Sequence, residues 1–208
     1  MPLKWVLTKT CKNCKCPRDG HEVVAEHGAR SRLGFVANHD SLDARSLGYT
    51  FVPPGLTSAR QVDQYYSTLP SEEVPKLGSK GEMLRSQRIV RQLPKQDLSL
   101  SACKFVEPEY ANSYQDFITG RNQVALDVGL AKATPPNSIC ADCSKPIHST
   151  QISVTALRLG DAVWHPSCFK CKTCDDLLVD LAYCVYEDNI YCERHYAEKN
   201  EAKVRRLR

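Results

Sequence analysis

Long apolar runs are missing from this chain of 208 residues. No stretch approaches the roughly 18 consecutive apolar residues of a membrane span, so none is expected. The N-terminal MPLKWVLTKTC holds only the short apolar run from Trp5 to Leu7. That is far below a signal h-region, which argues against secretion and against an oxidising compartment that would pair the cysteines. With 42% hydrophobic residues and a mean hydropathy of −0.41, the expectation is a soluble protein. A large charge excess is also lacking, since 28 Lys and Arg stand against 24 Asp and Glu.

What the chain does have is cysteine, 11 in all. Between Cys140 and His195 lie eight metal-ligand candidates: Cys140, Cys143, His165, Cys168, Cys171, Cys174, Cys192 and His195. Their spacing is Cys-x2-Cys-x21-His-x2-Cys-x2-Cys-x2-Cys-x17-Cys-x2-His. A two-residue gap lets a tight knuckle aim two side chains at one tetrahedral ion, and the gap recurs in each pair. An iron–sulfur motif would need a further cysteine after Cys174, where Asp175, Asp176, Leu177 and Leu178 stand instead. Thiolate combined with imidazole favours zinc. Packing all these cysteines as small buried hydrophobes would leave the repeated spacing unexplained.

Ligand order distinguishes the zinc modules. A cross-braced RING places cysteine third and histidine fourth, whereas here His165 is third. The pattern resembles a LIM domain. That resemblance implies one zinc on Cys140, Cys143, His165 and Cys168 and a second on Cys171, Cys174, Cys192 and His195. Trp164 and Phe169 flank the joint between the two sites and read as core filling the hinge. The stretch 181–186, the turn Glu187-Asp188-Asn189 and Ile190-Tyr191 read as two short strands that deliver Cys192. An ion held by four protein ligands has no open position, so such zincs fold a domain rather than catalyse.

Charge is spread unevenly. Lys and Arg against Asp and Glu number 7 and 4 in residues 1–42, 11 and 10 in 43–134, 5 and 8 in 135–197, and 5 and 2 in 198–208. Six thiolates against two Zn²⁺ ions would make the zinc module more acidic still, by about −2. Such a surface is not built to grip phosphates, so no nucleic-acid partner is expected.

Residues 1–42 carry Cys11, Cys14 and Cys16 with His21 close by. They admit two readings, a third zinc on Cys11, Cys14, Cys16 and His21 with Cys103 as a distant ligand, or a partly flexible arm of reduced cysteines. From Gly48 to about Lys132 the pattern is largely helical. Thr57 or Ser58 caps a helix whose Val62, Tyr65, Tyr66 and Leu69 follow i, i+3, i+4, i+7 and which stops before Pro70. Ser79-x-x-Glu82 opens a second helix ending at Leu93. Its Met83, Ile89, Val90 and Leu93 are expected to face the core, and its Arg85, Arg88 and Arg91 to face solvent or, alternatively, an acidic partner, nucleic acid or anionic lipid. A third helix starts near Pro108, carries Tyr110, Tyr114, Phe117, Arg121 and Val124, and closes at Gly129. Residues 131–138, with Pro135-Pro136, read as a stiff linker. Cys103 and Cys184 read as packed thiols rather than nucleophiles.

Tyr49-Thr-Phe-Val-Pro-Pro-Gly55, the Leu69-Pro70 stop, the run from Leu84 to Asp97 and Cys103 resemble the PET domain. The segment Cys11-Lys-Asn-Cys-Lys-Cys-Pro-Arg-Asp-Gly-His21 is similar to the N-terminal segment of testin-like and limpet-like members. A PET domain followed by a LIM domain is the arrangement of the PET–LIM family, the testin, prickle and limpet group. The resemblance implies a multidomain α+β chain in which a mostly helical PET domain precedes a small, β-rich, two-zinc LIM domain. The expected division is an N-terminal segment 1–42, PET 43–134, a linker 135–139, LIM 140–197 and a basic tail 198–208. It further implies a non-enzymatic adaptor that binds proteins of adhesions, the actin cytoskeleton or muscle attachments, is cytoplasmic, and has PET–LIM self-contact. A nuclear LIM-type transcriptional cofactor is the alternative. Relatives usually carry three or more LIM domains and some a prenylated C-terminus. Here one LIM pattern precedes Lys203-Val-Arg-Arg-Leu-Arg208, without a CaaX ending. That basic end reads as frayed and solvated, with a nuclear address as the other reading. PET helices are expected to survive loss of a LIM ligand such as Cys171.

Overall fold

The fold comes from a computed structural model that describes residues 42–95, 99–103 and 106–206, with side chains at all of these except 117, 120–124 and 200–206. Helix α1 (Ala59–Ser67) starts at Ser58, whose hydroxyl accepts from the N–H of Gln61 while the Gln61 side chain returns to the N–H of Ser58, completing a capping box. Its Val62, Tyr65 and Tyr66 are buried, as the i, i+3, i+4 spacing requires. Tyr66 stacks on Tyr49 with ring centres 4.5 Å apart and donates its hydroxyl hydrogen to the carbonyl of Phe51 at 2.6 Å. These contacts bind the extended Tyr49–Gly55 segment to the helix.

Helix α2 (Lys80–Gln92) begins at Ser79, whose hydroxyl accepts from Glu82 N–H at 3.3 Å. Here the expected orientation holds only in part, with Ile89 and Leu93 inside and Arg91 outside. Met83 and Val90 are 52% and 40% exposed, whereas Arg85 and Arg88 retain 8% and 9% exposure. Two of the three arginines expected outside are docked, because carboxylates stand opposite them, while Arg91 stays half exposed. Leu93 and Ile89 do turn inward, onto Val179 and Ala182.

A 3₁₀ turn at Pro108–Tyr110 leads into α3 (Ala111–Val124), which buries Ile118 and leaves Tyr110 exposed. The helix ends at Val124, short of Gly129, because the chain goes straight into two strands, β1 (Leu126–Val128) and β2 (Leu130–Ala133). Among the described residues of 43–134, helices make up fewer than half. Prolines at 53, 54, 70, 75 and 94 keep the intervening chain out of helix.

Six further strands follow: β3 (Ser138–Ile139), β4 (Pro146–Ile147), β5 (Ile152–Thr155), β6 (Val163–Trp164), β7 (Ala182–Tyr186) and β8 (Asn189–Tyr191). The β7–β8 hairpin turns on Glu187 and Asp188, both at positive φ (47° and 56°), which suits the strand twist. The closing helix α4 (Glu193–Arg206) carries the predicted frayed end in helical form through residue 206.

The strands take residues 131–133 out of the stretch 131–138 read as a linker. β2 pairs antiparallel with β5, Ala131 opposite Val154, in the sheet β2-β5-β6. β1 pairs with β7, Leu126 opposite Cys184, in the sheet β1-β7-β8. One continuous segment therefore adds a strand to each half of the cysteine-rich region. Gly129 lies at the crossing, where a Cβ would meet Phe169 Cζ and Val154 Cγ1 at 3.0 Å each. A single buried cluster runs from Tyr49, Val62 and Tyr66 to Trp164, Phe169, Leu178 and Tyr183. Among the described residues no helix is long and apolar enough to cross a membrane.

Candidate metal centres

Two groups of four ligand atoms come together. Cys140, Cys143, His165 and Cys168 form one, Cys171, Cys174, Cys192 and His195 the other, with the ligand atoms of each group within 4.8 Å of one another. The grouping is that implied by the resemblance to a LIM domain, four ligands and then four.

Both groups are built by the same local rule. In the first, Cys140 N–H donates to Lys145 carbonyl (2.9 Å) and Ser144 N–H to Cys140 carbonyl (2.9 Å). In the second, Cys171 N–H donates to Asp176 carbonyl (3.0 Å) and Asp175 N–H to Cys171 carbonyl (2.9 Å). Each knuckle turns on a left-handed residue, Ser144 or Asp175, both at φ 57°. Each is tied to a strand, Ala141 N–H to Val163 carbonyl (2.8 Å) and Lys172 N–H to Ile190 carbonyl (3.0 Å). Those strands run directly into His165 and Cys192, and a helical turn after each returns the last ligand. In the first group that turn is Pro166–Cys168; in the second it is the start of α4.

The donors fit a tetrahedral zinc. Bond lengths near 2.3 Å to sulfur and 2.0 to 2.1 Å to nitrogen imply a sulfur–nitrogen edge of about 3.6 Å. His165 Nδ1 lies 3.4 Å from Cys143 Sγ and 3.9 Å from Cys168 Sγ. His195 Nδ1 lies 3.5 Å from Cys171 Sγ and 3.2 Å from Cys192 Sγ. The thiols also show what a cation must supply. Donation from the Cys192 thiol pulls the Cys171 pKa down to about 4, while that pairing and burial push Cys192 up. Burial and the neighbouring thiols push Cys168 up to about 12. Without a cation the sulfurs compete for protons; a divalent ion lets all three in a group ionise.

Phe169 occupies the joint, edge-on to Trp164 at 5.6 Å and to Tyr183 at 5.7 Å, as expected for hinge-filling core. On one side of the joint lies a groove of about 630 Å³ lined by Arg158, Trp164, Lys170, Lys172, Asp188 and Asn189 among others. Arg85 and Arg88 of α2 also come close to Phe169. Arg85 forms a two-pronged pair with Asp180, Nε to Oδ1 at 2.7 Å and a terminal nitrogen to Oδ2 at 2.6 Å. Arg88 pairs with Glu73 at 2.5 Å, and Arg91 reaches Asp176 at 3.4 Å. Gln92 donates to Leu177 carbonyl (2.8 Å) and accepts from Val179 N–H (2.9 Å).

Asp176, Asp180 and Gln92 were not singled out from sequence. The available signal was arginines at 85, 88 and 91 facing a segment with 8 acidic against 5 basic residues. Of the earlier candidates, Cys184 is buried in β7. Cys103 places its sulfur 3.3 Å from the Tyr114 hydroxyl and joins no ligand group among the described residues. Cys11, Cys14, Cys16 and His21 lie outside the described residues.

Comparison with known proteins agrees with this layout. Residues 34–132 match the PET Domain model and residues 140–200 the LIM domain model. The chain is 36% identical over 203 residues to human Prickle planar cell polarity protein 3, covering 91% of this chain and 33% of that protein. It is 41% identical over 154 residues to human Prickle-like protein 2, covering 72% and 18% respectively. To Protein espinas of Drosophila pseudoobscura pseudoobscura it is 36% identical over 181 residues, covering 85% and 23%. The chain thus spans a third or less of the length of these relatives.

Proposed function

Because this chain belongs to the PET–LIM family, we propose that it is an adaptor binding proteins at cell adhesions, the actin cytoskeleton or muscle attachment structures. One observation carries the reading: two complete four-ligand groups stand in one core with the PET helices. Four protein ligands leave a zinc no position for water or substrate, so each ion stiffens a recognition surface instead of reacting on it. The chain is then cytoplasmic and associated with adhesions or cytoskeleton. Human Prickle planar cell polarity protein 3 is named for planar cell polarity, which makes a part in that process the second reading.

The test is affinity capture from cells with the zinc-loaded full chain as bait and Cys171→Ser as the metal-deficient control. Actin-regulatory or adhesion proteins held by the intact chain and lost by the control support the adaptor. Polarity components favour the second reading. Transcription factors, with the protein mostly on chromatin, would replace both with a nuclear cofactor.

A further inference from the structure

The second knuckle is held from outside its own domain. Cys171 N–H donates to the carbonyl of Asp176 at 3.0 Å, so the position of Asp176 sets the aim of that group's first ligand. The Asp176 carboxylate faces Arg91 at 3.4 Å and Arg88 at 4.0 Å. The next residues are gripped by the same face of α2: Leu177 and Val179 by the Gln92 amide, and Asp180 by Arg85. Residues 176–180 thus follow the knuckle as a strip clasped to one PET helix. The first knuckle obeys the same backbone rule, but the residues after it, Pro146 and Ile147, pair with β3 of their own half.

We infer that the arginine and glutamine face of α2 is the outer shell of the second metal group, with Arg88, Arg91 and Gln92 as positioning residues for Cys171. The inference rests on the reading that each group holds zinc. Groups that orient metal ligands from behind commonly alter metal affinity by about 10–100-fold when removed. The consequence is an asymmetry between two centres with the same donor set. PET docking governs how firmly the second zinc is kept and leaves the first alone, so a partner that draws α2 away would loosen one ion selectively.

The experiment is zinc release from the full chain into excess EDTA, resolved into two kinetic phases, for wild type, Arg91→Met, Arg91→Lys, Gln92→Leu and Asp176→Asn. Arg91 is half exposed, 52% for its side chain, so its replacement spares the core. One zinc should leave about 10-fold faster in Arg91→Met, Gln92→Leu and Asp176→Asn, with the other phase unchanged. Arg91→Lys should recover part of the loss. In wild type the sensitive phase should quicken with added salt, a dependence that Arg91→Met and Asp176→Asn should lack. Equal acceleration of both phases, or of neither, overturns the inference. A wild-type chain carrying fewer than two zincs overturns the zinc reading as well, whereas two zincs with unchanged release overturn the inference alone.

Discussion

Gly55→Ala tests whether the PET loop sits on a LIM-bound strand. Gly55 has φ +92°, and a Cβ there would lie 2.5 Å from the carbonyl oxygen of Ala131 in β2. The same loop accepts the Ala131 N–H at the Pro54 carbonyl, 2.8 Å away, so the two backbones cannot simply part. Two costs add. A non-glycine residue in the left-handed region loses about 1–2 kcal/mol. Overlap with backbone, which unlike a side-chain end cannot rotate away, adds about 1–3 kcal/mol. Gly48 supplies the control, with φ +80° and nothing within 4 Å of its Cβ position. Gly48→Ala should show the conformational cost alone, about 1–2 kcal/mol. The difference isolates the contact, and the pair should separate by several degrees in midpoint, at about 2–4 °C per kcal/mol for a chain of this size. Thermal unfolding of zinc-loaded protein, with urea titration for free energies, measures both. Equal losses for the two variants would mean that the loop does not rest on β2.

Further expectations follow from the same contacts. Elemental analysis of the purified chain should give two zincs, or three if Cys11, Cys14, Cys16 and His21 bind one; one or none contradicts the ligand groups. Cys171→Ser should unsettle the PET helices along with the second zinc half, against the independence expected from sequence, because Val62 and Tyr66 share a core with Phe169 and Tyr183. Far-ultraviolet and tyrosine signals that stay native in that variant would refute the coupling. Burial pushes the Tyr65 and Tyr183 phenols above their ordinary value of 10.0, with Asp180 and Asp127 respectively adding to the shift. A raised folded pKa leaves stability intact below pH 10 and removes it as pH climbs from there toward the folded value. Tyr65→Phe should therefore show a shallower alkaline decline than wild type, and an identical slope would refute the burial argument. Arg85→Met leaves Asp180 behind as a largely buried lone carboxylate and should cost about 3–5 kcal/mol, most of it recovered when combined with Asp180→Asn. Simple addition of the two losses in a double-mutant cycle would rule out the pair.

The ligand groups were legible because metal chemistry is written in short spacings. A two-residue gap constrains a knuckle locally, and ligand order distinguishes a sequential pair of sites from a cross-brace. The caps at Ser58 and Ser79 were legible for the same reason, each being settled within four residues. On helix α2 the expected sides of Ile89, Leu93 and Arg91 hold, whereas Arg85 and Arg88 exchange places with Met83 and Val90. Its periodicity marked two faces correctly, but the rule that apolar residues go inside presumes an apolar surface opposite. Here Asp176, Asp180 and Glu73 are opposite, and they come from elsewhere in the chain.

By itself, then, the sequence determined which side chains could meet around each metal, where helices begin, and that the segment 135–197 is acidic. Tertiary structure alone decided that residues 126–128 and 130–133 become strands of the two cysteine-rich sheets instead of a helix end and the start of a linker, and that Arg85 and Arg88 rather than Met83 and Val90 face inward. The physical reason is range. Knuckles and caps are satisfied by neighbours along the chain, whereas a strand needs an edge and a buried arginine needs a carboxylate, and folding brings both from up to 95 residues away.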